Sequence, residues 1–112
     1  MIYAAIAIFA IAAVLGITIL VQWLKQQQAS NAVIYSHGLA AATALVILIV
    51  FALQNKDHAP TTCIVLFVIA ALGGFYLFFS DKARNIRPVG IAVVHAILAV
   101  SGFVALLFFA FG

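Results

Sequence analysis

The stretch "VIYSHGLAAATALVILIVFAL", residues 33–53, decides the fold. It has the length of one helical crossing of hydrocarbon, which takes about 20 apolar residues. It holds no charged side chain, yet it carries His37 near its start, followed by a series of alanines. Three more runs of this kind give four spans in all, at about 2–24, 33–53, 61–79 and 89–111. The linkers are the short polar stretches "KQQQASN", "QNKDHAPT" and "SDKARNIRP". Pro60 and Pro88 stand at or just before helix starts, where a missing amide donor costs least. Short linkers make neighbours antiparallel. The expected fold is an all-α integral membrane four-helix bundle, one transmembrane domain over residues 1–112.

Composition supports the same solvent. Of 112 residues, 69% are hydrophobic and 6% charged. A soluble domain of this size leaves too much of its chain exposed to hide that apolar surface, so the first partner is the lipid bilayer. The formal charge of +3 rests on few residues. In so apolar a chain it reports membrane orientation, and nucleic acid is not an expected partner. The single Cys63 excludes an internal disulfide, and no Cys-x-x-Cys-His is present for covalent haem attachment. The first run has no basic leader and is too long for a signal-peptide core, so it reads as a retained helix.

Basic residues favour the cytoplasmic side. Lys25 lies in the first linker, Lys82, Arg84 and Arg87 in the third, and only Lys56 in the second. Loops 25–32 and 80–88 are therefore expected in the cytoplasm and both termini outside, as in a bacterial inner membrane.

Shifting the sequence by 58 positions exposes an internal repeat. His37 then meets His95, Ala41 meets Ala99, Val46 meets Val104, Leu48 meets Leu106, Phe51 meets Phe109 and Ala52 meets Ala110. The same shift lays "FAIAAVLG" (9–16) on "FVIAALGG" (67–74) without a gap. The expectation is a duplicated helical hairpin, halves 1–54 and 59–112, related by a pseudo-twofold axis along the membrane normal, as in parallel repeats.

The repeat sets the depth of both histidines. His37 lies about five residues into the second span and His95 about seven into the fourth, or roughly 8 and 10 Å at 1.5 Å per residue. Gly16 and Gly74 fall at the same level on the first and third spans. The neighbours of His37 at i+3, i+4 and i+7 are Ala40, Ala41 and Ala44, and those of His95 include Ala99 and Gly102. Small faces admit a helix backbone or a flat ligand.

An ionisable group at this depth is costly and points to function. Three uses compete. The imidazoles could hydrogen-bond across the bundle. They could relay protons or bind substrate, since histidine titrates near physiological pH, although no Asp or Glu within the spans partners them. Or they could clamp one haem iron axially, one ligand from each half, with Lys25, Arg84 and Arg87 paired to the haem propionates. The last accounts together for the depth, the repeat and the small faces.

Histidines on the second and fourth spans, with glycines on the first and third, resemble the four-helix core of membrane b-type cytochromes. The likeness covers nearly the whole chain and rests on two His and two Gly. It implies His37 and His95 as axial ligands of one haem b per chain, with Gly16 and Gly74 admitting the porphyrin edge to the helix backbone. It implies single-electron transfer, with a quinone or a redox protein as partner. Many such cytochromes carry two histidines per ligating helix. Here the outer halves of the second and fourth spans have none, so a second haem lacks ligands. Small multidrug-resistance transporters share the length, but the carboxylate they use in the first helix is missing. The alternatives are an accessory subunit of a larger membrane complex, or a haem-handling or sensing protein, and a homodimer is compatible with any of them.

Other polar residues take ordinary roles. His58 reads as a solvated loop residue and Cys63 as a small buried hydrophobe. Trp23, Tyr35 and Tyr76 read as interfacial anchors. Asp81 reads as a surface partner of Lys82 and Arg84. The phenylalanines of "FFSD" and "LLFFAFG" read as facing lipid or a partner.

Overall fold

In the computed structural model, which describes residues 1–112, the chain forms four helices: α1 (Ile2–Leu24), α2 (Asn31–Gln54), α3 (Thr61–Arg84) and α4 (Val89–Phe111). A single 3₁₀ turn (Lys56–His58) lies between α2 and α3. All four helices are long and apolar enough to cross a membrane. The bundle measures 44 × 23 × 21 Å, so its long axis exceeds a hydrocarbon core of about 30 Å.

The helix ends follow local chemistry. The hydroxyl of Ser30 accepts the Val33 amide at 3.2 Å and caps α2. Pro60 and Pro88 hold the N-cap positions of α3 and α4. The α3 helix runs five residues beyond the expected end at 79. Its last turn is polar but stays helical because its groups find partners. Ser80 is buried and donates to the Ile86 carbonyl at 2.8 Å, while the Ile86 amide returns to the Ser80 carbonyl at 3.0 Å. Asn85 then stops the helix in the left-handed region, at φ 53°.

The helices form a ring. The α1 helix packs mainly on α2 and α3 mainly on α4, while α1–α4 and the looser α2–α3 contact close it. Diagonal helices meet only through side chains at the centre. Phe9 of α1 stacks on Phe67 of α3, centroids 4.0 Å apart. Phe51 of α2 meets Phe109 of α4 edge-on at 6.1 Å.

The core is split. Ala5, Phe9, Ala44, Leu48, Cys63, Phe67 and Leu106 pack together toward the end of the bundle that carries the termini. Trp23, Leu77 and Ala92 form a smaller cluster toward the opposite, basic end. Cys63 is buried, as expected. Only 16 of the 112 residues are buried, and Val14, Leu39, Leu72 and Phe108 lie more than 60% exposed on the outer surface. So large an apolar skin suits lipid, where cohesion between helices comes from close packing and hydrogen bonds.

Trp23 departs from the sequence expectation. It turns inward and is only 6% exposed, packed against Leu77 and Ala92. Tyr35 and Tyr76 stay exposed near the basic end, where amphipathic rings suit an interface. Asp81 pairs with Arg87 at 2.9 Å and with Lys82 at 3.7 Å. Arg84 instead reaches the Tyr76 hydroxyl at 3.1 Å and Ser80 Oγ at 3.3 Å.

Candidate functional site

Between the two apolar clusters lies a layer of small residues with two imidazoles. His37 on α2 leans across to α1, where its Nδ1 sits 2.8 Å from the Ala12 carbonyl. His95 on α4 leans across to α3, where its Nδ1 sits 2.7 Å from the Ala70 carbonyl. A carbonyl only accepts, so each imidazole donates from Nδ1–H. In a neutral ring this selects the Nδ1–H tautomer, with the lone pair on Nε2. Neither Nε2 has a hydrogen-bond partner in the protein.

The sequence makes this contact possible through glycine. Gly16 stands one turn after Ala12, and Gly74 one turn after Ala70, so no side chain shields either carbonyl. A Cβ on Gly16 would stand 2.9 Å from Cε1 of His37, and one on Gly74 would stand 3.1 Å from Cε1 of His95. Each imidazole edge thus occupies the space that its glycine leaves open, the space the cytochrome likeness reserves for a porphyrin edge. A Cβ on Gly73 would meet His95 Nδ1 at 3.7 Å, an ordinary contact, so only Gly74 is required for the approach.

The two rings face each other across the bundle. Their centroids lie 6.3 Å apart, with planes 84° apart. A first-row metal binds an imidazole nitrogen at about 2 Å, which puts the centroids of two imidazoles on one metal roughly 6 Å apart. The centroid spacing by itself is compatible with two imidazoles on one metal. Each Nδ1–H bond to a backbone carbonyl is the outer-shell contact that usually orients a ligating histidine. Both histidines, both glycines, Ala41 and Ala99 are half-buried, whereas Gly102 on the His95 face is buried under Phe67, whose ring would lie 3.1 Å from a Cβ there.

The basic residues expected near it are arranged unequally. Arg87 is tied to Asp81, and also to the Asn85 side chain at 3.0 Å. Arg84 is held by Tyr76 and Ser80, with its guanidinium over the Tyr76 ring. Lys25 is exposed and forms no ion pair. Lys82 bonds to the Asn31 side chain, tying α3 to the start of α2. His58 is exposed at the far end and stacks on Phe109 at 4.6 Å.

The histidine and glycine levels are legible in the sequence; the acceptors in the layer and the inward Trp23 beyond it are not. The acceptor carbonyls of Ala12 and Ala70 are backbone groups, and only the small-xxx-small spacing Ala12–Gly16 and Ala70–Gly74 hinted at them. The inward Trp23 carried no sequence signal apart from its place at a span end. Comparison with protein-family models, with curated proteins and with solved structures gave no match.

Proposed function

We propose that this chain is a small integral membrane b-type cytochrome in which His37 and His95 hold one haem b for single-electron transfer. One observation carries the reading. Two imidazoles from different helices, each oriented by an Nδ1–H bond to a backbone carbonyl, stand 6.3 Å apart with both Nε2 atoms free. Bound there, haem supplies a one-electron Fe(III)/Fe(II) couple. His37 and His95 would both hold the group, which would leave no protein-free ligand position for a substrate and favour electron transfer. The Ala12 and Ala70 carbonyls hold the ring tautomers and raise ligand basicity. Ala41 and Ala99 keep the ligating faces narrow, and Gly16 and Gly74 set the imidazole approach.

The positions that build the layer recur at a spacing of 58: Ala12 and Ala70, Gly16 and Gly74, His37 and His95. The stacked Phe9 and Phe67, and the fully buried Leu48 and Leu106, follow the same spacing. This supports descent from a duplicated two-helix hairpin, whose pseudo-twofold axis would pass between the histidines. With the basic end in the cytoplasm of a bacterium, the layer would lie near the cytoplasmic face of the inner membrane. A quinone or a redox protein would exchange electrons with it.

A second reading has its own support. Each imidazole already fills the space over a glycine and bonds a facing helix, which is what a packing staple in an accessory subunit would do. Absorption spectra of detergent-purified protein, oxidised and dithionite-reduced, separate the two. The cytochrome reading expects a sharp reduced α-band that is lost in His37→Ala and in His95→Ala. Protein that stays colourless after haem is supplied would leave the accessory reading standing.

A further inference from the structure

Trp23 is the one large polar-capable side chain whose burial the fold leaves unexplained. It is 6% exposed, and its Nε1–H has no hydrogen-bond partner. Beside it, the buried Oε1 of Gln22 also lacks a partner. A buried indole N–H ordinarily finds an acceptor, and a missing one costs about 1–3 kcal/mol. No other buried side-chain polar atom lacks a partner. The positions 58 residues on are Ser80 and Asp81: Ser80 bonds the Ile86 carbonyl, and Asp81 is held by Arg87 and Lys82. The open donor therefore lies in one half only.

Its place relates it to the histidine layer. Trp23 packs on Ala92, three residues from His95 along α4, and on Leu77, three residues from Gly74 along α3. Three residues of helix advance about 4.5 Å. Long helical side chains lean toward their own N-terminus, which for Trp23 is toward the histidines. A ligand held between His37 and His95 would meet this indole on its side nearest the basic end. An indole N–H suits an acceptor and rejects a cation. Of the other candidates for an anion, Arg84 and Arg87 are already engaged with Tyr76, Ser80 and Asp81, while Lys25, without an ion pair, is exposed at the end of α1 rather than buried beside the layer.

We propose that Trp23 is the binding residue that anchors one carboxylate of the haem, orienting it with that propionate toward the basic end. This rests on the cytochrome reading. The test is a titration of purified apoprotein with ferric haem b and with its dimethyl ester, which lacks carboxylates, using wild type and Trp23→Phe. The expected result is that wild type prefers haem over the ester by roughly tenfold, the scale of one charge-assisted hydrogen bond. In Trp23→Phe that preference falls to near unity while the reduced α-band keeps its position. Equal affinity of wild type for haem and ester would overturn the inference, and this arm needs no variant to fold. So would an undiminished preference in Trp23→Phe, with the bis-histidine band present in either case. If wild type takes up neither compound, the cytochrome reading fails and this assignment fails with it.

Discussion

At the scale of single residues, the layer depends on two missing methyl groups. Hydrogen at Gly16 and Gly74 lets an imidazole reach a backbone carbonyl on the facing helix. Gly16→Ala would put its Cβ 2.9 Å from His37 Cε1, too close for a real contact. The ring must swing away and give up the bond to the Ala12 carbonyl. In Gly74→Ala the approach to His95 is 3.1 Å, which a shift of a few tenths of an ångström relieves. Gly16→Ala is therefore expected to cost about 1–3 kcal/mol through overpacking and the lost bond, and Gly74→Ala less. Thermal unfolding in detergent measures both, and a Gly16→Ala protein as stable as wild type would contradict the contact. The levels of these residues were legible in the sequence, because a helix advances a fixed distance per residue. Their partners were not, because a carbonyl leaves no mark in a sequence.

At the scale of one element, α3 shows where hydropathy misleads. An apolar run predicts the membrane-crossing part of a helix and says nothing of a polar turn that continues it. That turn persists because Ser80 and Ile86 exchange two hydrogen bonds and Asp81 meets Arg87. Asn85 closes it at φ 53°, a conformation that asparagine tolerates better than most residues. Both Asn85→Ala and Asn85→Gly lose the contact with Arg87, and the alanine variant is expected to be less stable than the glycine variant by about 1 kcal/mol. Denaturation of the two variants side by side checks this, and equal stability of the alanine and glycine proteins would remove the role given to the left-handed turn. The inward Trp23 has a related cause. A helix that is apolar on nearly every side gives no sequence signal for which side faces its neighbours.

At the scale of the whole molecule, the proposed orientation follows from charge. Alkaline phosphatase folds to an active form only outside the cytoplasm. Fused after Gly112 it is expected to be active, and inserted in the 25–30 linker inactive. The reverse pattern would put the histidine layer at the other face of the membrane. What the sequence by itself determined is the one-dimensional part of this protein: four spans, their short antiparallel connections, and the common level of His37, His95, Gly16 and Gly74. Hydropathy and helical rise are local properties, and they suffice for that. Only the tertiary structure decided the rotations of the helices about their axes. Those rotations turn Trp23 inward, stack Phe9 on Phe67, and bring each histidine to a carbonyl rather than to lipid. They are set by close packing between nearly uniform apolar faces, where the fit of small residues counts and hydrophobicity does not discriminate.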